Sequence, residues 1–142
     1  MVKFNINKYT GSSPGAKYIG KNELKYLKEI IDRKNPYRFK SNKKYSYCNN
    51  FENRFKKLIL KKHALLVSSG TAALHCALST LNVSKNDEII LPAFGWSSDL
   101  MAILATKFTP VFCPIDQKLG LDPKKLNKHI NKKTKAVIAI HM

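Results

Sequence analysis

The chain has 142 residues, of which 44% are hydrophobic, and this is enough for one domain with a real core. Its net charge of +17 would ordinarily point to nucleic acid or an anionic surface as a partner. However, 17 of the 26 basic residues lie within residues 1–63, and almost all are lysines, whereas nucleic-acid recognition favours the arginine fork. We therefore interpret the charge mainly as solvated helix faces, and a basic nucleic-acid-binding protein is the less favoured alternative.

Cysteine usage and hydropathy predict the compartment. The three cysteines, Cys48, Cys76 and Cys113, form no C-x-x-C pair, which argues against a disulfide framework. The first residues lack a signal-peptide pattern, and no apolar run is long enough to span a bilayer. These features predict a soluble, cytoplasmic protein without a membrane partner.

The first part of the chain is predicted to be helical. Apolar residues recur at helical spacing over residues 21–33, which predicts an amphipathic surface helix. Residues 34–50 mix aromatic and basic side chains without periodicity, which predicts a loop. A second helix is predicted over residues 51–59, with Asn49 or Asn50 as its N-cap.

Strands and helices then alternate. Short apolar runs predict strands at residues 64–67, 88–91, 110–115 and 135–140, and amphipathic stretches predict helices at residues 71–81, 98–107 and 123–130. Because the strands are almost continuously apolar, both faces of their sheet must be covered. The predicted fold class is therefore α/β, a three-layer α-β-α arrangement with a mainly parallel sheet.

The turn between the first predicted strand and its helix is a candidate anion site. Its residues, Ser69, Gly70 and Thr71, would present hydroxyls and unpaired N–H groups at a helix N-terminus. The serines alone are equally explained as an ordinary helix cap. Trp96, the only tryptophan, follows the next strand and is either a platform for a flat ring or a core anchor. In parallel sheets ligands bind beyond the carboxyl ends of the strands, so these two features together indicate a pocket for a phosphorylated ring.

The run from His63 onward resembles the DegT/DnrJ/EryC1/StrS sugar aminotransferase family, whose members use pyridoxal phosphate. The resemblance rests mainly on the segments S-G-T-A-A-L at 69–74, N-D-E-I-I-L-P-A-F at 86–94 and L-D-P at 121–123. Residues 18–23 and 51–52 also look like the family's opening helices, so nearly the whole chain is covered. The resemblance implies that Gly70, Thr71 and Ala72 hold the cofactor phosphate and that Trp96 stacks on the pyridine ring. The family usually has threonine where this chain has Gly95.

The resemblance also implies what the chain would act on. The family aminates keto groups on nucleotide-linked sugars, with glutamate as the expected donor, and works as a homodimer. The lysine that bonds to the cofactor, and the acid that pairs with the pyridine nitrogen, lie in the family downstream of the histidine that aligns with His141. We therefore expect no catalytic residue within this sequence, an incomplete cofactor site and no activity of residues 1–142 alone.

This expectation divides the chain into amino-terminal helices and a loop at residues 1–62, and the first part of a cofactor-binding large domain at residues 63–142. The family strand order, 3-2-4-5-6-7-1, further predicts that the strand at 64–67 does not pair with the other three. A non-catalytic phosphate-binding module, or a subunit that completes a partner, is the principal alternative.

Overall fold

The computed structural model describes residues 18–38, 46–84 and 86–142. Their helices are α1 (Lys21–Asp32), α2 (Tyr47–Leu58), α3 (Gly70–Ser79), α4 (Ser97–Ala105) and α5 (Pro123–Leu126), and their strands are β1 (Glu88–Pro92), β2 (Thr109–Cys113) and β3 (Thr134–Val137). The contacts group the chain into two units with the boundary between Ala64 and Leu65. Whether the segments 1–62 and 63–142 are domains in the family sense stays a prediction.

Helix α1 agrees with its predicted bounds to within one residue. It begins after Gly20, whose N–H donates to Glu23 Oε2 at 2.7 Å, so an acidic side chain closes the first turn. This hydrogen bond lowers the pKa of Glu23 from its ordinary value. None of the α1 side chains is buried, and Leu24, Leu27 and Ile31 are each more than half exposed.

Helix α2 begins four residues earlier than predicted, and its N-cap is neither Asn49 nor Asn50. Ser46, which is buried, caps the helix by accepting a hydrogen bond from Asn49 N–H at 3.3 Å. Contacts of Tyr47 explain why α2 begins at this residue. Its ring packs edge-on against Tyr26, with the ring centroids 5.2 Å apart, and its hydroxyl donates a hydrogen bond to Glu29. The predicted loop at 34–50 is therefore wrong for residues 47–50, and residues 39–45 lie outside the described chain.

The three strands form one parallel sheet in the order β2-β1-β3. In sequence order of the predicted strands this is 3-2-4, so the α/β class and the relative order of these strands are confirmed. Ile90, for example, is paired with Val111 on one side and Val137 on the other. The third strand is shorter than predicted, and α5 ends at Leu126 rather than at residue 130.

The core of the second unit lies between the sheet and two helices. Ile89 and Leu91 of β1 belong to one buried cluster with Ile103 of α4, and Phe108, which follows α4, completes the packing. Helix α3 packs against α4 and adds Leu78 to the same cluster. Alternate residues of a strand point to opposite faces, so this core lies on one face of β1. The packing also fixes α4 relative to the carboxyl end of β1.

The predicted strand at residues 64–67 is wrong, since this segment lies outside the three-stranded sheet. Its apolar pattern equals that of a buried strand, but a strand exists only where a neighbour pairs with it. The expectation that it does not pair with β1, β2 and β3 agrees with the structure.

Within the described ranges, no helix combines the length and the apolarity required to cross a membrane.

Candidate functional site

The N-terminus of α3 is built by Ser69. Its backbone is extended and its Oγ accepts a hydrogen bond from Ala72 N–H at 3.1 Å, while its carbonyl accepts from Ala73 N–H at 3.0 Å. Ser69 is thus a conventional N-cap, as one of the two sequence interpretations expected. The cap takes up the N–H of Ala72, one of the three predicted phosphate ligands.

The other two predicted ligands present free donors. Gly70 and Thr71 occupy the first two helical positions, and in the described part of the chain neither N–H is hydrogen-bonded. Both residues are exposed. Their amides point along the helix axis and carry the positive end of its dipole, so this end of α3 attracts an anion.

Nothing in the surrounding structure requires glycine at position 70. A β-carbon there would meet no atom within 4 Å, and the residue does not have a positive φ. Neither packing nor backbone conformation therefore explains the absence of a side chain. Glycine at position 70 would let a bound group approach the backbone closely, and this physical reason for glycine is compatible with the structure.

Trp96 is not a core anchor. The residue is 78% exposed and is the N-cap of α4, so it follows directly from the loop at the carboxyl end of β1. A large aromatic surface in water is unfavourable unless something covers it. Its position favours the platform interpretation over the packing one.

Gly95, in the loop before Trp96, has two close neighbours that the sequence did not reveal. A β-carbon at Gly95 would lie 2.5 Å from Cδ1 of Ile140 and 3.5 Å from Oδ2 of Asp99. Ile140 therefore occupies the volume that a side chain at position 95 would need. Asp99 is buried in the first turn of α4, where its charge is favourable to the helix dipole. The lack of threonine at position 95 was the only sequence signal for this arrangement.

The remaining strand ends offer no second reactive cluster. Burial, followed by the nearby charge of Asp122, raises the pKa of the Cys113 thiol, which therefore stays protonated. Asp116 closes its own turn by accepting from the N–H groups of Lys118 and Gly120. No group of histidine, cysteine or carboxylate side chains with the geometry of a metal site occurs in the ranges that the structure covers.

The structure brings the two halves of the predicted site onto packed elements. Trp96 begins α4 and Ser69, Gly70 and Thr71 begin α3, and these two helices pack on each other. The donors and the indole are exposed in the same unit. The arrangement can take a phosphate at α3 and offers a flat surface at α4.

Comparisons with known proteins point to one group of enzymes. The chain is 37% identical over 122 residues to GDP-perosamine synthase of Vibrio cholerae. The matched region covers 85% of this chain and 32% of that protein. It is 40% identical over 92 residues to the spore coat polysaccharide biosynthesis protein SpsC of Bacillus subtilis, covering 64% and 24% respectively. The chain thus spans about a third or less of the length of these relatives.

Solved structures agree with the fold. The E. coli GDP-4-keto-6-deoxy-D-mannose-3-dehydratase, solved with bound hydrated PLP, superposes with a TM-score of 0.73 at 26% identity, covering 91% of this chain and 32% of that one. The model of the DegT/DnrJ/EryC1/StrS aminotransferase family matches residues 17–142. This match, together with the relatives and the parallel sheet, shows that the chain belongs to the DegT/DnrJ/EryC1/StrS aminotransferase family.

Proposed function

We propose that this chain supplies the phosphate-binding and ring-stacking part of a pyridoxal-phosphate enzyme that aminates keto groups on nucleotide-linked sugars. The observation that carries the proposal is the open N-terminus of α3, where no described residue hydrogen-bonds to the N–H groups of Gly70 and Thr71 and none crowds Gly70. A doubly charged phosphate matches these donors and the helix dipole. The exposed indole of Trp96 matches the pyridine ring.

The residues present fit the cofactor in part. Gly70 and Thr71 would hold the phosphate through their backbone N–H groups and the Thr71 hydroxyl, and Ala72 would join them only if the Ser69 hydroxyl released its N–H. Trp96 would fix the plane of the ring and exclude water from one of its faces. When bound, pyridoxal phosphate supplies an electron sink that lets a proton leave a carbon next to nitrogen.

The substrate class rests on the relatives. GDP-perosamine synthase and SpsC point to nucleotide-linked sugars and to polysaccharide biosynthesis. The family name favours amino transfer. Glutamate as the donor and a homodimer as the working state are proposed from the family resemblance alone. A 3-dehydratase with bound PLP is also among the structural neighbours. The residues of this chain would therefore determine that the cofactor binds, but not whether amino transfer or dehydration follows.

We infer in addition that residues 1–142 alone do not catalyse amino transfer. The matched part covers only about a third of the relatives, and the family resemblance assigns the cofactor-bonding lysine to a later position. The free state of all three cysteines supports a cytoplasmic location. A partner-completing module with the same phosphate site is the alternative that these observations also support.

Trp96 makes the test direct, because it is the only tryptophan of the chain. We expect pyridoxal phosphate to quench its fluorescence saturably, and pyridoxal without phosphate to bind at least tenfold more weakly. Thr71→Val, which keeps the side-chain shape, should weaken the phosphorylated ligand about fivefold, since a hydrogen bond contributes about 1 kcal/mol. The measurement is a fluorescence titration.

Ser79→Ala is the matched control, because it removes a hydroxyl from the other end of the same helix. It should leave the affinity unchanged. Equal affinities for pyridoxal and pyridoxal phosphate would contradict a phosphate site at α3.

A further inference from the structure

A second polar site lies in the first unit, between α2 and the segment that follows it. A cavity of about 340 Å³ is lined by Asn49, Glu52, Asn53, Lys56, Lys62, His63 and Ala64. The first four of these residues have the spacing i, i+3, i+4 and i+7, so they form one face of α2. We call this cavity the α2 cleft.

The C-terminus of α2 explains why the cleft exists. Leu60 has a left-handed backbone with φ of 53°, and its N–H donates to the Lys57 carbonyl. The N–H of Lys61 donates to the Lys56 carbonyl at 2.9 Å, which completes a Schellman motif. This turn reverses the chain, and Lys62 and His63 then form the opposite wall of the cleft.

The charge in the α2 cleft is not balanced. Its only acid, Glu52, is ion-paired with Arg38, whereas among the described residues no carboxylate lies within ion-pair distance of Lys56 or Lys62. Lys56 is partly buried as a residue, so less of its side chain is free to move than in an ordinary surface lysine. Two ammonium groups, the imidazole of His63 and two carboxamides therefore offer donors to a common space.

We propose that the α2 cleft binds a small phosphate anion with two or more negative charges, such as a phosphate monoester or a diphosphate. Two unpaired ammonium groups match two negative charges, and each ammonium donates up to three hydrogen bonds to oxygens. The volume is at the lower end of the range for ligand pockets, which favours a small ion over a segment of nucleic acid. The cleft lies in the first unit and contains none of the residues of the α3 site, so it does not depend on the proposed function.

The test uses the ¹⁵N-labelled chain titrated with inorganic pyrophosphate, with affinity obtained from amide shifts in residues 49–64. Lys56→Gln should weaken binding about tenfold, the loss expected for one charge-assisted hydrogen bond. Lys57→Gln removes the same charge from the neighbouring exposed residue, which does not line the cleft, and should change the affinity less than twofold. Lys62→Gln and Lys61→Gln form a second such pair outside the helix, in case the helical variants lose structure.

Equal losses within both pairs would overturn the proposal, because they would show attraction by net charge alone. A single-stranded oligonucleotide provides a further arm. If it bound more tightly than pyrophosphate, with a steep salt dependence that Lys56→Gln and Lys57→Gln reduce equally, the surface would be a nucleic-acid one and the small-anion site would be refuted. Shifts confined to residues outside 49–64 would refute it as well.

Discussion

Gly95 and Ile140 share one small volume beside the exposed indole of Trp96. The two residues are far apart in sequence, yet a β-carbon on the first would lie 2.5 Å from the terminal methyl of the second. Glycine at 95 is therefore coupled to the larger side chain at 140, and the loop that presents Trp96 is held by this contact. The family's threonine at position 95 would need a smaller neighbour.

We expect Gly95→Thr to lower the free energy of unfolding by about 1 kcal/mol, because an overpacked contact forces Ile140 from its rotamer. Ile140→Val removes the offending methyl, and the double variant should recover most of the loss. Chemical denaturation of the four proteins measures the coupling. Additive effects of the two substitutions would contradict a shared volume.

Some residues of the site were predictable and others were not. Ser69, Gly70 and Thr71 were recognisable because capping and turn residues act locally on the next three amides. Ile140 was not, because its contact with Gly95 joins two segments that only the sheet brings together. The sequence predicted that Trp96 follows a strand, but it did not predict whether the indole is exposed. Its exposure follows from the loop after β1, and hydrophobic periodicity does not describe loops.

Helix α1 depends on its first turn rather than on burial. None of its side chains is buried, and Glu23 accepts from Gly20 N–H at the N-terminus. The lowered pKa of Glu23 means that its ionised form stabilises the helix. This stabilisation is complete above the unfolded-state pKa and is lost as the pH falls through the lower pKa of the folded state.

We therefore expect Glu23→Gln to increase amide exchange at Gly20 and in the first turn of α1 at neutral pH. In the unchanged chain, lowering the pH below about 4.5 should reduce the protection of these amides, measured relative to their intrinsic exchange rate at each pH, whereas the variant should respond less. Asp32→Asn is the control, since it removes the same charge from the opposite end of the helix, where the dipole disfavours an acid. A similar increase in the control would show that net charge, not the capping bond, holds this turn.

At the level of elements, the nearly continuous apolar pattern predicted β1, β2 and β3, because parallel strands have few polar positions. Of the three, only β1 is buried along most of its length in the described chain. The same pattern failed at residues 64–67, since pairing is a non-local property that local hydropathy does not contain. The prediction of where α2 begins was wrong for a related reason. Serine and asparagine are equally good caps, and the contact of Tyr47 with Tyr26 and Glu29 selects Ser46.

At the scale of the whole chain, we propose a cofactor site on one unit and an anion cleft on the other, in a chain that spans about a third of the length of its relatives. We predict that reduction with borohydride in the presence of pyridoxal phosphate labels many exposed lysines weakly, with any preference confined to the lysines of the α2 cleft, which is itself proposed to bind a phosphate monoester. Ordinary surface lysines keep a high pKa and attack a carbonyl slowly. Peptide mapping by mass spectrometry measures the distribution.

Thr71→Val serves as the control for this labelling, because it weakens the phosphate site without changing any lysine. One dominant labelled lysine, lost in that variant, would show that the chain already holds the covalent partner of the cofactor. The inference that residues 1–142 do not catalyse amino transfer would then be wrong.

The order β2-β1-β3 has a consequence for synthesis on the ribosome. The central strand, β1, is also the first of the three to be made, and β2 and β3 each emerge when an edge of β1 is still open. No later strand has to be inserted between two strands that have already paired, so the sheet is able to grow outward as translation proceeds. The outer edge of β3 is open in the same way, since no described strand pairs with it.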